Sequence, residues 1–149
     1  MQQSIKTGWV LTVFSSLLIL LFVYTASSKL LDMFRFEIAL SKMPYLQAAA
    51  PVLSWALPLV ELYISMLLLL PASRKKGFGL SFILLLAFTL YLGLVLLLAP
   101  HLPCSCGGVI SELGWRDHFL YNTAFILMAY AGWRLEKTGA LVPTHHSAD

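Results

Sequence analysis

The chain has 149 residues, of which 59% are hydrophobic and 11% charged, with a formal net charge of +3 at pH 7. Soluble globular domains typically carry about 25% charged residues, so this composition excludes an ordinary soluble domain and indicates an integral membrane protein. The Lys and Arg residues gather in short segments between apolar runs, a pattern typical of membrane topology and not of a nucleic-acid-binding surface.

Four apolar runs are long enough to cross a bilayer, which takes roughly 17–25 residues of helix. The predicted spans are residues 9–26, 46–70, 78–99 and 118–135. Each is predicted to be helical because lipid offers no partner for open backbone groups. We therefore predict an all-α integral membrane protein, a compact four-transmembrane-helix bundle in residues 1–135, followed by a flexible cytoplasmic tail at 136–149.

The beginning of the chain allows a second interpretation. Lys6, the apolar stretch 10–23 and the small residues 25–27 are also typical of a cleaved secretory signal peptide. Residues 28–44 then mix apolar and charged side chains at helical spacing. This amphipathic segment between helices 1 and 2 is expected to lie in the membrane interface, to cap the bundle, or simply to connect the two spans.

The basic residues predict the orientation. Lys6 precedes the first span, the cluster 74–76 separates the second and third, and Arg134 and Lys137 end the fourth. Cytoplasmic loops carry the excess of Lys and Arg. We therefore expect a multi-pass protein of the bacterial inner (plasma) membrane, with both termini cytoplasmic and the 99–117 loop, whose only Lys or Arg is Arg116, in the periplasm.

Cys104 and Cys106 are the only cysteines, and they lie in this loop. Residues two apart in an extended chain are separated by at most about 7 Å, and a disulfide needs its Cα atoms about 4.4–6.8 Å apart. A bridge is therefore reachable only in a constrained ring, and strained, exposed disulfides are the labile or catalytic ones. The periplasm permits disulfides, so the pair is the candidate catalytic site.

Neighbouring residues can support thiol chemistry. His101 and Arg116 could stabilise a thiolate, because a positive neighbour lowers the pKa of a thiol. A fourth helix starting near residues 115–118 would add its N-terminal dipole. Two other readings stay open: a purely structural disulfide, and a zinc or copper site. The residues of that metal set would be His101, Cys104, Cys106 and His118.

Glu61 is the second singular residue, because a carboxyl group deep in a span costs about 2.5–3.5 kcal/mol on insertion scales. It could relay protons, orient a quinone or pair with Lys29, or it could make a structural hydrogen bond with Tyr24 or Ser27. Other polar-tipped residues in the spans are predicted to be interface or inter-helix contacts. They are Tyr63, Tyr91, Tyr121, Asn122 and Thr123.

The order of these motifs resembles the MauE/DoxX family of redox-associated membrane proteins. Ser28-Lys29-Leu30 follows the first span, Glu61 lies within the second, and Cys104-Ser105-Cys106-Gly107 precedes the fourth; the resemblance covers about residues 8–135. It implies a four-helix membrane bundle with Cys104 and Cys106 as the redox pair and Glu61 as an intramembrane acid. The methylamine-utilisation branch is associated with disulfide formation in a periplasmic dehydrogenase subunit, alongside a thioredoxin-like partner.

The function expected from this resemblance is a membrane thiol–disulfide redox partner that assists disulfide formation or maturation of a secreted protein; whether it is itself a thiol–disulfide oxidoreductase stays open. It would exchange electrons with a periplasmic thioredoxin-like protein or a secreted client, within the lipid bilayer and without nucleic acid. The sequence establishes no cofactor with certainty, and a quinone is a candidate electron sink. Bundles of the DsbB type that use quinone carry Cys-x-x-Cys pairs, which this chain lacks. Two other classes stay open: a metal-binding membrane protein, and a non-catalytic assembly subunit of a membrane complex.

Overall fold

A computed structural model describes residues 2–98 and 115–139, with side chains described over 7–95, at 97 and over 119–137. Within these ranges the chain is helical and has no strand, which confirms the all-α class for this part of the chain. The helices are α1 (Gln2–Leu31), α2 (Met33–Ser41), a 3-10 turn (Gln47–Ala49), α3 (Ala50–Leu69), α4 (Arg74–Leu98) and α5 (Trp115–Gly139).

Three helical segments are long and apolar enough to cross a membrane. They are Thr7–Leu31, Gln47–Leu69 and Arg74–Val95, and they correspond to the first three predicted spans. α1 runs on to Leu31, so the predicted amphipathic segment begins inside it, and only Met33–Ser41 forms a separate helix.

α5 covers the fourth predicted span at 118–135 but is not among those three segments. The physical reason lies in its sequence, where charged residues stand near both ends and Asn122 interrupts the apolar stretch 119–133. α5 starts at Trp115, which is within the range 115–118 considered for the beginning of the last helix. The count of four spans stays a prediction.

α3, α4 and α5 form an antiparallel series. The turn between Leu69 and Arg74 is too short for any other arrangement of α3 and α4. Along α4, Gly79 lies against Trp133 and Gly93 lies against Phe119, so residue numbers rise in α4 as they fall in α5. α1 packs mainly along α3 and also contacts α5, which closes the bundle.

The core lies where these four long helices meet. Phe78 of α4 is fully buried and lies against Gly132 of α5, where an added Cβ would come within 2.5 Å of the ring. Small hydroxyl residues also allow close helix contact in a membrane bundle. Ser54 and Ser81 are fully buried, and each donates to a carbonyl of its own helix, at 2.9 Å and 2.8 Å respectively. The buried apolar residues of this core are Leu11, Leu18, Phe22, Ile64, Leu68, Phe78, Leu85 and Ala129.

α2 forms a cap over the beginning of α3. Asp32 is its N-cap, with a side-chain oxygen that accepts from the Arg35 amide at 3.4 Å. Phe36 and Leu40 of α2 pack with Ala50 of α3 in a second apolar cluster. The Tyr91 hydroxyl of α4 donates to the Pro44 carbonyl at 3.0 Å, and this bond ties the α2–α3 connection to the second half of α4.

Candidate functional site

The predicted site residues divide into two groups. Cys104, Cys106 and His101 lie outside the described residues, and so does the alternative metal set built on them. Arg116 and His118 fall in the first turn of α5, but their side chains are outside the described part. Glu61 and Lys29 are both described, and the structure brings them together.

The Lys29 ammonium and the Glu61 carboxylate form an ion pair between α1 and α3. Nζ lies 2.5 Å from Oε1, and the two side chains are only 13% and 11% exposed. The structure therefore realises the pairing with Lys29 among the roles considered for Glu61. Within a membrane each charge alone is costly, and mutual neutralisation makes the burial of both tolerable.

Neighbouring elements hold the pair in place. Phe36 of α2 lies beneath the Lys29 ammonium, with 5.7 Å between Nζ and the ring centroid, a distance suited to cation–π attraction. On α3, the Ser65 hydroxyl donates to the Glu61 carbonyl at 2.9 Å. Pro58, also fully buried in α3, removes one hydrogen bond from the turn preceding Glu61. Three helices thus position one charge pair.

One oxygen of Glu61 has no hydrogen-bond partner among the described residues. The Thr25 hydroxyl is close to this carboxyl group, but it donates to the Phe22 carbonyl at 3.2 Å, and a hydroxyl has one proton to donate. Oε2 is buried and accepts no hydrogen bond from the part of the chain that is described. A buried acceptor without a donor costs about 1–3 kcal/mol, so this oxygen can receive a bond from a bound molecule.

A cavity of about 290 Å³ adjoins the ion pair. It lies between the last turns of α1, the cap helix α2, the first half of α3, residues 84–91 of α4 and Asn122 of α5. Its wall is mainly apolar; Lys29 and Glu61 are its charged residues, and Asn122 contributes an amide. The other lining residues are Leu21, Phe22, Tyr24, Thr25, Ser28, Phe36, Leu40, Met43, Leu46, Leu53, Leu57, Leu84, Leu85, Ala87, Phe88 and Tyr91.

Asn122 and Tyr91 both line this cavity, a position that the sequence did not predict for them. Both were predicted only as interface or inter-helix contacts. Asn122 is half-buried at the cavity, and its Nδ2 is buried without a hydrogen-bond partner among the residues described. In the sequence, Asn122 stands out only as an amide in an otherwise apolar stretch. The packing of α5 against the bundle is what places it, and not another polar residue of α5, at the cavity beside Glu61.

The opposite end of the bundle carries a second charge pair. Arg74 at the start of α4 pairs with Glu136 near the end of α5, and the side chains are 20% and 19% exposed. Lys137 lies over the Trp133 ring at 5.7 Å. Arg74 and Lys137, two of the basic residues that predict the cytoplasmic side, therefore lie where α4 begins and α5 ends.

The described residues contain no group of three or more His, Cys, Asp or Glu side chains that could hold a metal ion. Lys29 and Glu61 alone do not form such a set, because an ammonium cannot act as a ligand. The metal interpretation therefore depends entirely on His101, Cys104, Cys106 and His118, which the structure does not test.

Comparison with known proteins gives one match. The family model of the methylamine utilisation protein MauE matches residues 7–135, which covers all the helices that form the bundle. A search of the curated proteins and of the solved structures finds no match. The match is to MauE, so the DoxX part of the resemblance stays a prediction. Since the matched region is most of its length, the chain belongs to the MauE family of membrane proteins linked to methylamine utilisation.

Proposed function

We propose that this protein is a membrane thiol–disulfide exchange partner that acts through Cys104 and Cys106 on a periplasmic thioredoxin-like protein or a secreted client. One observation carries the proposal: the chain's only cysteines lie in the segment that links α4 to α5, in a member of a family linked to methylamine utilisation. Cys104 follows Leu98 by six positions, and a chain spans at most about 3.6 Å per residue. The pair is thereby tethered to the membrane bundle.

The proposed topology has four spans, with α5 as the fourth. α5 packs antiparallel along α4 through Trp133 and Phe119, which supports a membrane position for a helix too polar to be recognised by hydropathy alone. Arg74 and Lys137 stand at the other end of this helix pair, and basic ends favour the cytoplasm. The cysteines then face the periplasm of a bacterial inner membrane, where disulfides persist.

The exchange needs no cofactor for its covalent steps. With the pair oxidised, a client thiolate attacks one sulfur, forms a mixed disulfide and releases the other cysteine as a thiolate. A second client thiolate then breaks the mixed disulfide, which leaves the client oxidised and Cys104 and Cys106 reduced. Two electrons and two protons pass from the client to the pair, and the reverse sequence passes them back.

Trapping tests this proposal. In Cys104→Ser and Cys106→Ser single variants the remaining cysteine cannot be resolved by its neighbour, so at least one variant should accumulate a mixed-disulfide adduct in native membranes. The adduct should disappear on reduction and be absent from the Cys104→Ser/Cys106→Ser double variant. The measurement is a non-reducing gel with identification of the captured protein. Absence of an adduct from both single variants, at normal expression and under oxidising conditions, contradicts the proposal.

A further inference from the structure

We propose that the cavity beside Lys29 and Glu61 binds a neutral, membrane-soluble quinone, with Asn122 and Glu61 at its headgroup. Binding depends only on the described cavity, whereas the ligand's role as electron acceptor rests on the proposed function. The two parts can therefore be tested separately.

The size and wall of the cavity suit a ring with an apolar substituent. Ligand pockets usually measure about 300–1,000 Å³ and are mainly apolar with a few convergent polar groups, and this one measures about 290 Å³. Phe36 and Phe88 are among its lining side chains. Tyr24 lines the cavity and is 44% exposed, so the wall reaches the surface of a helix predicted to face lipid. A ligand can enter from the bilayer.

Charge favours a neutral ligand. Among the lining residues that the structure describes, Lys29 and Glu61 are the only charged ones, and they neutralise each other at 2.5 Å. A fatty acid or an anionic phospholipid headgroup would bring a net charge that this wall does not balance, and burying an unbalanced charge is costly. A quinone and its quinol carry no net charge.

The unpartnered polar atoms match the two redox forms of such a headgroup. Among the residues that the structure describes, Asn122 Nδ2 is a buried donor without an acceptor, and Glu61 Oε2 is a buried acceptor without a donor. A quinone carbonyl accepts from an amide, and a quinol hydroxyl donates to a carboxylate. Buried polar groups left unpaired are unfavourable. The Asn122 amide therefore gains from a quinone carbonyl or a quinol oxygen, and the Glu61 carboxylate gains from a quinol hydroxyl.

The electron count closes with the proposed thiol chemistry. When Cys104 and Cys106 join in a disulfide, two electrons and two protons are released, and one quinone takes up both pairs to become a quinol. The cavity includes Tyr91, seven residues before the end of α4, and Asn122, seven residues after the start of α5. The cysteine-bearing segment thus joins the bundle at the two helix ends nearest the cavity.

Calorimetric titration of decylubiquinone into the purified full-length protein in lipid nanodiscs tests binding. The wild type should bind saturably. Asn122→Leu, which keeps the side chain's approximate size, should weaken binding about five-fold through the lost hydrogen bond. Ala87→Trp, which places an indole in the wall, should abolish it. Thr123→Val is the matched control, because Thr123 is exposed next to Asn122 and does not line the cavity, and its affinity should be unchanged.

The cysteine variant separates this proposal from the previous one. Cys104→Ser/Cys106→Ser should bind decylubiquinone as the wild type does but fail to reduce it when supplied with a reduced thioredoxin. If the wild type binds decylubiquinone but does not reduce it, the binding site is supported and the ligand's role as electron acceptor is contradicted. No saturable binding by the wild type, equal binding by wild type and Asn122→Leu, or displacement of decylubiquinone by equimolar oleate overturns the site.

Discussion

At the scale of single residues, the Lys29–Glu61 pair is the feature on which the described site depends. A lysine near the end of α1 meets a carboxylate in the middle of α3 with little exposure. Each charge is unfavourable without the other in a membrane interior. Loss of either charge alone should therefore lower the free energy of unfolding by far more than half of the loss caused by removing both.

A double-mutant cycle on this pair tests that coupling. Lys29→Met and Glu61→Gln should each lower the free energy of unfolding by about 3 kcal/mol, because each leaves or creates an uncompensated buried group. The combined variant should lose clearly less than the sum of the two. Steric-trap unfolding in bicelles measures the changes.

The exposed Asp32–Arg35 pair is the control for this cycle. Its side chains are 50% and 85% exposed, so Arg35→Met should cost no more than about 1 kcal/mol. Additive effects of the Lys29 and Glu61 substitutions would show that the two groups do not interact as described.

Gly132 gives a second prediction at this scale. Gly132→Ala places a methyl group within 2.5 Å of the Phe78 ring, and Phe78 is fully buried, so the ring cannot move without disturbing the core. Overpacking of this kind should destabilise the protein by about 1–3 kcal/mol. Gly8→Ala is the matched control, because nothing lies within 4 Å of its added Cβ. A thermal melt in detergent compares them, and equal melting temperatures for the two variants would disprove the close contact.

At the scale of elements, α2 and its connection to α3 form one wall of the cavity. Their position is maintained by the Phe36–Leu40–Ala50 cluster and by the Tyr91–Pro44 hydrogen bond. The cap therefore contacts α4 as well as α3. Loss of the Tyr91–Pro44 bond should destabilise the α2–α3 connection more than the rest of the bundle.

Tyr91→Phe tests this connection. Loss of the hydroxyl removes the bond to the Pro44 carbonyl and should cost about 1 kcal/mol, seen as faster amide hydrogen exchange over residues 42–49. Tyr63→Phe serves as the control, because Tyr63 is 58% exposed on α3 and should leave exchange there unchanged. Identical exchange in both variants would mean that the hydroxyl does not hold the cap.

The elements also show how far the sequence predicts this fold. Long, nearly uncharged runs identify α1, α3 and α4, because such runs are stable only in lipid. α5 is weaker, since Asn122 and the charges near its ends reduce its hydropathy, and its place follows from packing against Gly79 and Gly93. Residues 28–31 seemed part of an amphipathic segment, yet they continue α1 and thereby bring Lys29 to Glu61.

The candidate site was predictable to a similar extent. A lone intramembrane carboxylate such as Glu61 is recognisable because its burial is costly, and Lys29 was a plausible partner by charge. The cavity was not predictable, because it arises from five elements that meet at a distance in sequence. Asn122 and Tyr91 could be recognised as polar residues, but their contacts depend on how each helix is rotated about its axis. A helix that is apolar on all faces has no hydrophobic periodicity from which this rotation can be predicted.

At the scale of the whole molecule, the helix bundle has two ends that carry different residues. Arg74, Glu136 and Lys137 group at the end where α4 begins and α5 ends. The link carrying Cys104 and Cys106 leaves from the other end, toward which the cavity lies. This arrangement is consistent with the two proposals, in which sulfur chemistry proceeds on one side of the membrane and a neutral quinone in the membrane interior accepts the electrons.

The most direct test of this account is thiol labelling in intact cells with a membrane-impermeant maleimide. In untreated cells Cys104 and Cys106 should not react with the maleimide. They should become reactive after external reduction and lose this reactivity again when the reductant is removed. Ala72→Cys in the Cys104→Ser/Cys106→Ser background, placed in the exposed turn before Arg74, should be labelled only after the membrane is opened. Labelling of the native pair only in opened cells, or thiols that stay free throughout, would contradict the account.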